Sequence, residues 1–392
     1  MSIPQLIAFS IYVALQGVIF YELIRRNPWN KPSSFRKKVV YIPFLLIYLA
    51  FNFLNIFIIL FYKSIAWWVR EYSLENLLYA IIAFAIIIST PALYIITGYL
   101  FKKGDSKHTS INTERRGLLK KMALSGLVLG VPITYSMYKG IKDVEVSSLR
   151  LPLKDCPKSF VGYKIVQLSD IHCSAFIRGD YLSEVIQRVN SLSGDLLVLT
   201  GDFLTGMNDR KYFPEFLKAL SELDSRYTVS AVLGNHEFWE NQDTYVERGL
   251  TRAGVRVLRN SHQIIRREGE SLYLVGIDDI SFKRDNIEKA IDGVPLDKLT
   301  ILLSHNPDFI PTASKYIFSL MLSGHTHGGQ VQLPIFGPLI VPSRFGRRYA
   351  EGLHKMKDTY LYVNRGIGVI SPPIRFLCRP EITQIILDQE VI

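Results

Sequence analysis

Three long stretches of the N-terminal third carry no charged side chain: Ile3 to Tyr21, Val39 to Tyr62 and about Leu77 to Phe101. In a bilayer such a run must pair its own backbone groups, which makes it a helix, and about 20 residues cross a ~30 Å hydrocarbon core. Each run is predicted to span a membrane. A fourth run, Met122 to Tyr138, is shorter and contains Ser125, Gly126, Gly130 and Pro132. It reads as a further anchor, a buried core helix or an export signal. The first region is therefore 1–143, with three to four transmembrane helices at about 3–21, 39–62, 77–101 and 122–138.

The charge distribution orients these spans. Lys and Arg outnumber Asp and Glu by 17 to 7 up to residue 145 and by only 29 to 28 beyond it, so nearly all of the +11 net charge is N-terminal. A nucleic-acid binder would carry its basic stripe on the folded domain, so no nucleic-acid partner is expected. Arg25, Arg26, Lys31, Arg36, Lys37 and Lys38 fill the first loop, and Lys102, Lys103, Lys107, Arg115, Arg116, Lys120 and Lys121 precede the fourth run. Positive loops stay in the cytoplasm. The chain is thus expected to be a multi-pass protein of the cell membrane, with everything after Tyr138 extracytoplasmic. Trp67 and Trp68, in the outer loop, suit an interface. The segment Glu114-Arg115-Arg116-Gly117-Leu118-Leu119-Lys120 resembles a twin-arginine export signal, and as an ordinary basic cluster it would give the same orientation.

From about Val144 the texture changes to short apolar runs alternating with polar helical stretches, the pattern of an α/β domain over 144–392. Strands are predicted at Tyr163 to Leu168, Asp195 to Thr200, Tyr227 to Leu233, Leu272 to Gly276, Leu299 to Ser304, Phe318 to Leu322, Tyr360 to Val363 and Ile382 to Leu387. Helices are predicted near Tyr181 to Leu192, Tyr212 to Leu223, Gln242 to Ala253 and Asn286 to Ile291. Cys156, Cys173 and Cys378 are too far apart in sequence for a zinc knuckle and too few for a disulfide framework.

Five of the eight histidines fall in four segments just after apolar strands: Asp170-Ile171-His172, Gly234-Asn235-His236-Glu237, Ser304-His305-Asn306 and Gly324-His325-Thr326-His327. Asp202 follows another strand. Strand ends deliver side chains to one rim of an α/β sheet, so residues distant in sequence can converge there. Asp170, His172, Asp202, Asn235, His305, His325 and His327 mix hard oxygen with imidazole donors, a set suited to manganese first and also to zinc or iron(II). Seven ligands exceed one tetrahedral site. They suit two divalent ions sharing one carboxylate, and the glycines at 201, 234 and 324 allow tight turns around them.

These motifs, in this order, resemble those of the calcineurin-like metallophosphoesterases, whose signature is D-x-H, G-D, G-N-H-E/D, H and G-H-x-H; the likeness covers roughly residues 160 to 390. It implies a layered β-sandwich flanked by helices, a metal-dependent phosphoric ester hydrolase, and hydroxide made nucleophilic by two metals. It also implies that Asp170, His172, Asp202 and His327 hold one metal, and that Asn235, His305 and His325 hold the second with bridging Asp202. His236 is then a non-ligand beside the scissile phosphate, the catalytic acid or charge stabiliser. Glu237 is read as a side chain that orients its neighbours or caps a helix. Thr205 stands where the pattern often has a second aspartate. It cannot supply the phenolate of a ferric centre, which favours an all-divalent site.

Gly328-Gly329-Gln330 and the tail Asn364-Arg365-Gly366-Ile367-Gly368 resemble the bacterial membrane-associated phosphodiesterase branch, some of whose members are similar to UDP-2,3-diacylglucosamine hydrolases, which cut a pyrophosphate. The apolar, Pro-rich stretch Val331 to Pro342, followed by Arg344, Arg347 and Arg348, reads as a lip for a lipid-linked phosphoester or as a hairpin packed over the sheet. Two other classes compete: a metal-binding scaffold without turnover, and a membrane transporter with an accessory domain. The intact ligand set argues against the first. Uncharged spans argue against the second, because solute paths need intramembrane charge.

Overall fold

The computed structural model describes residues 140–392 apart from 240, 317, 339, 371–372 and 391–392. The four apolar runs between residues 3 and 138 lie outside the described residues. Among the described residues no helix is long and apolar enough to cross a membrane.

In chain order the first strands are β1 (Glu145–Leu153), β2 (Lys164–Leu168), β3 (Leu196–Thr200), β4 (Thr228–Val232), β5 (Arg256–Val257), β6 (Ser261–Arg267) and β7 (Glu270–Gly276). The others are β8 (Thr300–Leu303), β9 (Leu320–Ser323), β10 (Gln332–Leu333), β11 (Gly337–Pro338), β12 (Gly352–Met356), β13 (Thr359–Val363) and β14 (Glu381–Gln389). The helices are α1 (Asp180–Ser191), α2 (Phe213–Leu220), α3 (Asn235–Trp239), α4 (Asp243–Arg252), α5 (Ile287–Ala290) and α6 (Ile310–Ala313).

Two six-stranded mixed sheets form, in the orders β1-β14-β2-β3-β4-β5 and β12-β13-β9-β8-β7-β6. Strands buried on both faces read as unbroken apolar runs, and β3, with the sequence LLVLT, is buried at every position. Its side chains alternate between two cores. Leu197 and Leu199 join Val185 and Val189 of α1, Phe216 of α2 and Leu250 of α4. Leu196 and Val198 join Leu274, Ile301 and Leu322 of the second sheet. On the far side of that sheet, Leu302, Met321 and Leu361 cluster with Ile287 of α5 and Ile310 of α6. The result is helix, sheet, sheet, helix: mixed sheets packed face to face and flanked by helices.

All eight strands predicted from the sequence lie in the interiors of the two sheets. The edge strands β1, β5, β6 and β12 were not predicted, and their burial patterns explain why. β1 alternates exposed with half-buried residues over most of its length, and β6 has no fully buried position. A strand bonded on one side only needs no continuous apolar run.

β2, β3 and β4 are parallel in the first sheet, and β7, β8 and β9 are parallel in the second. Their C-terminal ends open at one rim, where a doubly layered sheet presents its ligands. Gln167 ties the sheets together below that rim, its Nε2 donating to Thr200 Oγ1 at 3.0 Å and to the Ser323 carbonyl at 2.9 Å.

Candidate metal centre

The rim brings together all seven side chains predicted as ligands. Asp170 and His172 follow β2, Asp202 follows β3, Asn235 opens α3 after β4, His305 follows β8, and His325 and His327 follow β9. All seven are buried. Five of them have left-handed backbone: Asp170 (φ 49°), His172 (φ 46°), Asp202 (φ 54°), His325 (φ 71°) and His327 (φ 52°). Residues with a Cβ seldom adopt this region, at a cost on the order of 1 kcal/mol each, and such strain concentrates at functional sites. Here it turns both residues of D-x-H and both histidines of H-x-H toward the same space.

Hydrogen bonds hold these loops in place. The Asp170 N–H donates to the Gly201 carbonyl at 3.0 Å and the His172 N–H to the Asp202 carbonyl at 2.9 Å. Gly201 has φ 90°, and a Cβ there would lie 2.6 Å from the Gly234 nitrogen and 2.7 Å from His305 Nδ1. Only glycine lets these three strand ends close on one another.

Ligand atoms fall into two neighbouring groups. In one, His327 Nε2 lies 3.3 Å from Asp170 Oδ1 and 3.1 Å from His172 Nε2. In the other, His305 Nε2 lies 3.0 Å from Asn235 Oδ1 and 3.2 Å from His325 Nδ1. Asp202 Oδ2 is 3.5 Å from His172 Nε2 and 3.2 Å from His305 Nε2, so one oxygen faces both groups.

Burial sets the protonation of the cluster. It pushes His172 down to about 4, His325 down to about 3, and His327 well below the usual imidazole value. It raises Asp170 to about 6. Burial would also raise Asp202, but His305, His236 and His172 outweigh it and hold that carboxyl well below the usual range. His305 shows the reverse balance: burial opposes its charging, yet Asp202 and Asp170 raise it well above the ordinary value. A dry site with two carboxylates and imidazole lone pairs converging at about 3 Å has the donor chemistry that divalent cations satisfy. Three groups, Asp170-His172-His327, His172-Asp202-His236 and Asp202-His305-His325, each present ligand atoms within 4.8 Å of one another.

His236 sits at the mouth of this cluster. Its Nδ1 donates to the Thr205 carbonyl at 2.8 Å, which leaves Nε2, 4.0 Å from Asp202 Oδ2, as the atom facing the site. Trp239 packs edge-on against its ring at 5.3 Å. Thr205, the departure from the expected aspartate, places its hydroxyl 3.3 Å from His172 Nδ1. It meets both histidines, one through its side chain and the other through its backbone.

Glu237 shapes the loop beneath. Its carboxylate accepts from the backbone N–H groups of Asp202 (3.0 Å), Phe203 (2.8 Å), Leu204 (3.2 Å) and Gly234 (2.9 Å). These bonds fix the loop that carries Asp202, the orienting one of the two roles read from the sequence. Glu237→Gln would turn an amide NH2 toward those donors. Leaving a buried donor unpaired costs about 1–3 kcal/mol, so the variant is expected to lose about 2–4 kcal/mol of stability. Thermal unfolding of the metal-free protein checks this; an unchanged transition would mean the four bonds are not needed.

Sequence reasoning missed Arg375. Its side chain is fully buried and donates to the carbonyls of Gly368 and Arg365, each at 2.7 Å, and of Gly366 at 3.1 Å. Its Nη2 lies 3.4 Å from His327 Nδ1. A single arginine in irregular chain leaves no periodic signal. The nearby Gly366-Ile367-Gly368 was the available hint: Gly366 has φ 71°, and a Cβ there would lie 2.6 Å from Asp170 Cβ. The Ile367 N–H donates to the Ser169 carbonyl at 3.0 Å and the Gly368 N–H to the Asp170 carbonyl at 2.8 Å. Cys173 is buried in the apolar core beside the site, and burial pushes its thiol up, away from a thiolate ligand.

Comparisons with known proteins agree with this geometry. Residues 163–329 match the sequence profile described as calcineurin-like phosphoesterase. The chain is 32% identical over 269 residues to a Bacillus subtilis protein named Uncharacterized metallophosphoesterase YkuE, covering 68% of this chain and 94% of that one. It is 30% identical to Phosphodiesterase YaeI of Escherichia coli, over 57% of this chain and 81% of the relative. It is 28% identical to a Danio rerio protein named Transmembrane protein with metallophosphoesterase domain, over 70% of this chain and 64% of the relative.

Proposed function

Because the chain belongs to the calcineurin-like metallophosphoesterase family, and is thereby a metal-dependent phosphoric ester hydrolase, we propose that it holds two divalent cations and cleaves phosphodiesters at a membrane surface. Asp170, His172, Asp202 and His327 hold one cation; Asn235, His305 and His325, with Asp202 shared, hold the other. The observation that carries this reading is Asp202 Oδ2, which faces His172 at 3.5 Å and His305 at 3.2 Å. When bound, the two ions supply Lewis-acid stabilisation of the phosphoryl oxygens and a nucleophile at neutral pH. His305 keeps its metal-facing Nε2 bare by donating from Nδ1 to the Thr200 carbonyl at 2.7 Å. As the P–O bond breaks, a second ring proton carried on His236 Nε2 would pass to the departing ester oxygen, leaving the imidazole neutral with Nδ1–H still on the Thr205 carbonyl.

Manganese is the first candidate metal, with zinc or iron(II) suited to the same donors. The name of the Escherichia coli relative supports a diester preference. Full-length protein purified in detergent and saturated with Mn is expected to carry about two ions per chain by elemental analysis, and to turn over diesters faster than matched monoesters. One ion or none would overturn the binuclear reading.

The apolar runs and their basic loops support a multi-pass anchor with the catalytic domain outside the cytoplasm, and relatives named as transmembrane proteins support the anchor. A reporter enzyme fused after Ile392 is expected to be active only in its extracytoplasmic form. Activity of a cytoplasmic reporter there would reverse the orientation and favour cytosolic nucleotide-linked lipids as substrates.

A further inference from the structure

From the segment that follows His327 we infer that the hairpin of β10 and β11 is a docking device that seats the metal centre on an anionic lipid surface. This rests on the reading that residues 1–143 hold the domain at a bilayer. Pairing of Gln332 with Pro338 and Leu333 with Gly337 puts Pro334, Ile335 and Phe336 at the tip. Ile335 is 101% exposed and Phe336 66%. Ile335 also has φ 72°, a region that a β-branched residue rarely enters.

The base of the hairpin is built, not loose. The Gln332 N–H donates to the Phe376 carbonyl and the Phe376 N–H to the Gln330 carbonyl, both at 2.9 Å. Gln332 Nε2 donates to the Glu351 carboxylate at 3.0 Å. At the tip, Arg347 Nη1 donates to the Phe336 carbonyl at 2.6 Å. A pinned base thus presents two large apolar side chains to solvent. Leu377 (59% exposed) follows Phe376, to which the hairpin bonds, and Phe176 (54% exposed) lies on the loop after β2.

The charge around the tip selects the partner. Residues 331–349 contain three arginines and no acidic residue; Arg347 and Arg348 are exposed, and Arg344, also exposed, has Asp308 Oδ2 4.0 Å from its Nε. Apolar side chains that enter the acyl boundary, flanked by cations at headgroup level, are the chemistry of interfacial anchoring to anionic lipid. A second copy of the chain would need an acidic counterpart for these arginines. The tip is eight residues beyond His327 in sequence. By chain length it can stand at most about 28 Å from that ligand, so the anchor and the metal centre act on one patch of bilayer.

The test uses the full chain reconstituted in vesicles. The three native cysteines are buried, so Phe336→Cys can be labelled selectively with an environment-sensitive dye. With nitroxide-bearing lipid, dye emission is expected to shift to the blue and be quenched, more strongly in phosphatidylcholine containing about one third phosphatidylglycerol than in pure phosphatidylcholine. Adding Arg347→Gln and Arg348→Gln should remove the difference between the two lipids. Solvent-like, unquenched emission in both lipids would overturn the proposal. So would a blue shift in detergent that depends on protein concentration, which would make the partner a second copy.

A kinetic arm separates docking from chemistry. The double variant Ile335→Ser with Phe336→Ser is expected to keep its rate on soluble methyl nitrophenyl phosphate. It should lose roughly tenfold or more in kcat/KM on vesicle-embedded hexadecyl nitrophenyl phosphate, because two anchoring side chains are gone. Equal losses on both esters would refute docking as the role of the tip. If the unaltered protein hydrolysed neither ester, the phosphoesterase reading would fall, and dye quenching would still decide the docking.

Discussion

Asp202→Asn is expected to empty both metal positions and lower turnover by more than the roughly 10–100-fold typical of residues that merely support a ligand. The substitution preserves shape and volume. Asn also tolerates the left-handed backbone of this position, where φ is 54°, so the loop conformation is not penalised. The amide oxygen can still accept from the His236 N–H, now 3.0 Å from Oδ1. What changes is the other arm: an NH2 replaces the oxygen that lies 3.2 Å from His305 Nε2 and 3.5 Å from His172 Nε2. A donor there cannot bind a cation. The negative charge that balances two ions is also gone. Elemental analysis and turnover in saturating Mn read the outcome together. Loss of one ion only would mean that Asp202 serves a single metal, and near-normal content of both would remove it from the centre.

How much of this was legible in the sequence depended on how fully each residue is buried and how local its cause is. β2, β3, β4, β7, β8, β9, β13 and β14 lie inside sheets, are largely buried and mostly apolar, and were read directly. The edge strands were invisible because solvent covers one side of them. The convergence of the seven candidate ligands was legible because aspartate and histidine just beyond apolar strands have few other reasons to be there. What the sequence could not reveal is the backbone that aims them. No local signal marks Asp170, His172, His325 or His327 as left-handed, since the conformation is imposed by bonds to residues 30 or more positions away, such as Asp170 to Gly201. Glu237 was read as an orienting side chain or a helix cap, but that it gathers four N–H groups from two loops emerged only from the fold. Arg375 was illegible for the same reason: its partners are carbonyls, which any sequence supplies.

The site combines strain with dryness. Five left-handed candidate ligand residues and a buried cluster of carboxylates and imidazoles are unfavourable for folding taken alone. Metal-free protein is therefore expected to hold these loops largely through Glu237, Arg375 and the contacts between strand ends, and cations that bind only the folded state add stability in proportion to their affinity. This separates two kinds of damage. Loss of Glu237 acts on the loop before any cation arrives. Loss of Asp202 acts on the cations themselves.

His236→Ala makes the opposite demand: both ions should stay while turnover falls by roughly 10²–10⁴, the usual worth of a positioned acid or base. His236 can be spared as a ligand because the other seven side chains already form two groups around Asp202 Oδ2. Its own Nε2 stands 4.0 Å from that oxygen, farther than His305 or His172. The Thr205 carbonyl accepts a hydrogen bond from Nδ1–H at 2.8 Å, so proton traffic on the substrate side must pass through Nε2. Removing the ring leaves the Asp202 contact with the residue 236 backbone N–H in place, so the loop should keep its course. The size of the defect should follow the leaving group. A nitrophenolate departs without a proton, so nitrophenyl diesters should lose least and alkyl diesters most. Equal losses across leaving groups would reassign His236 to stabilising charge on the phosphoryl oxygens. A drop to one ion per chain would make His236 a ligand, as its place in the group with His172 and Asp202 permits, and would end its assignment as the acid.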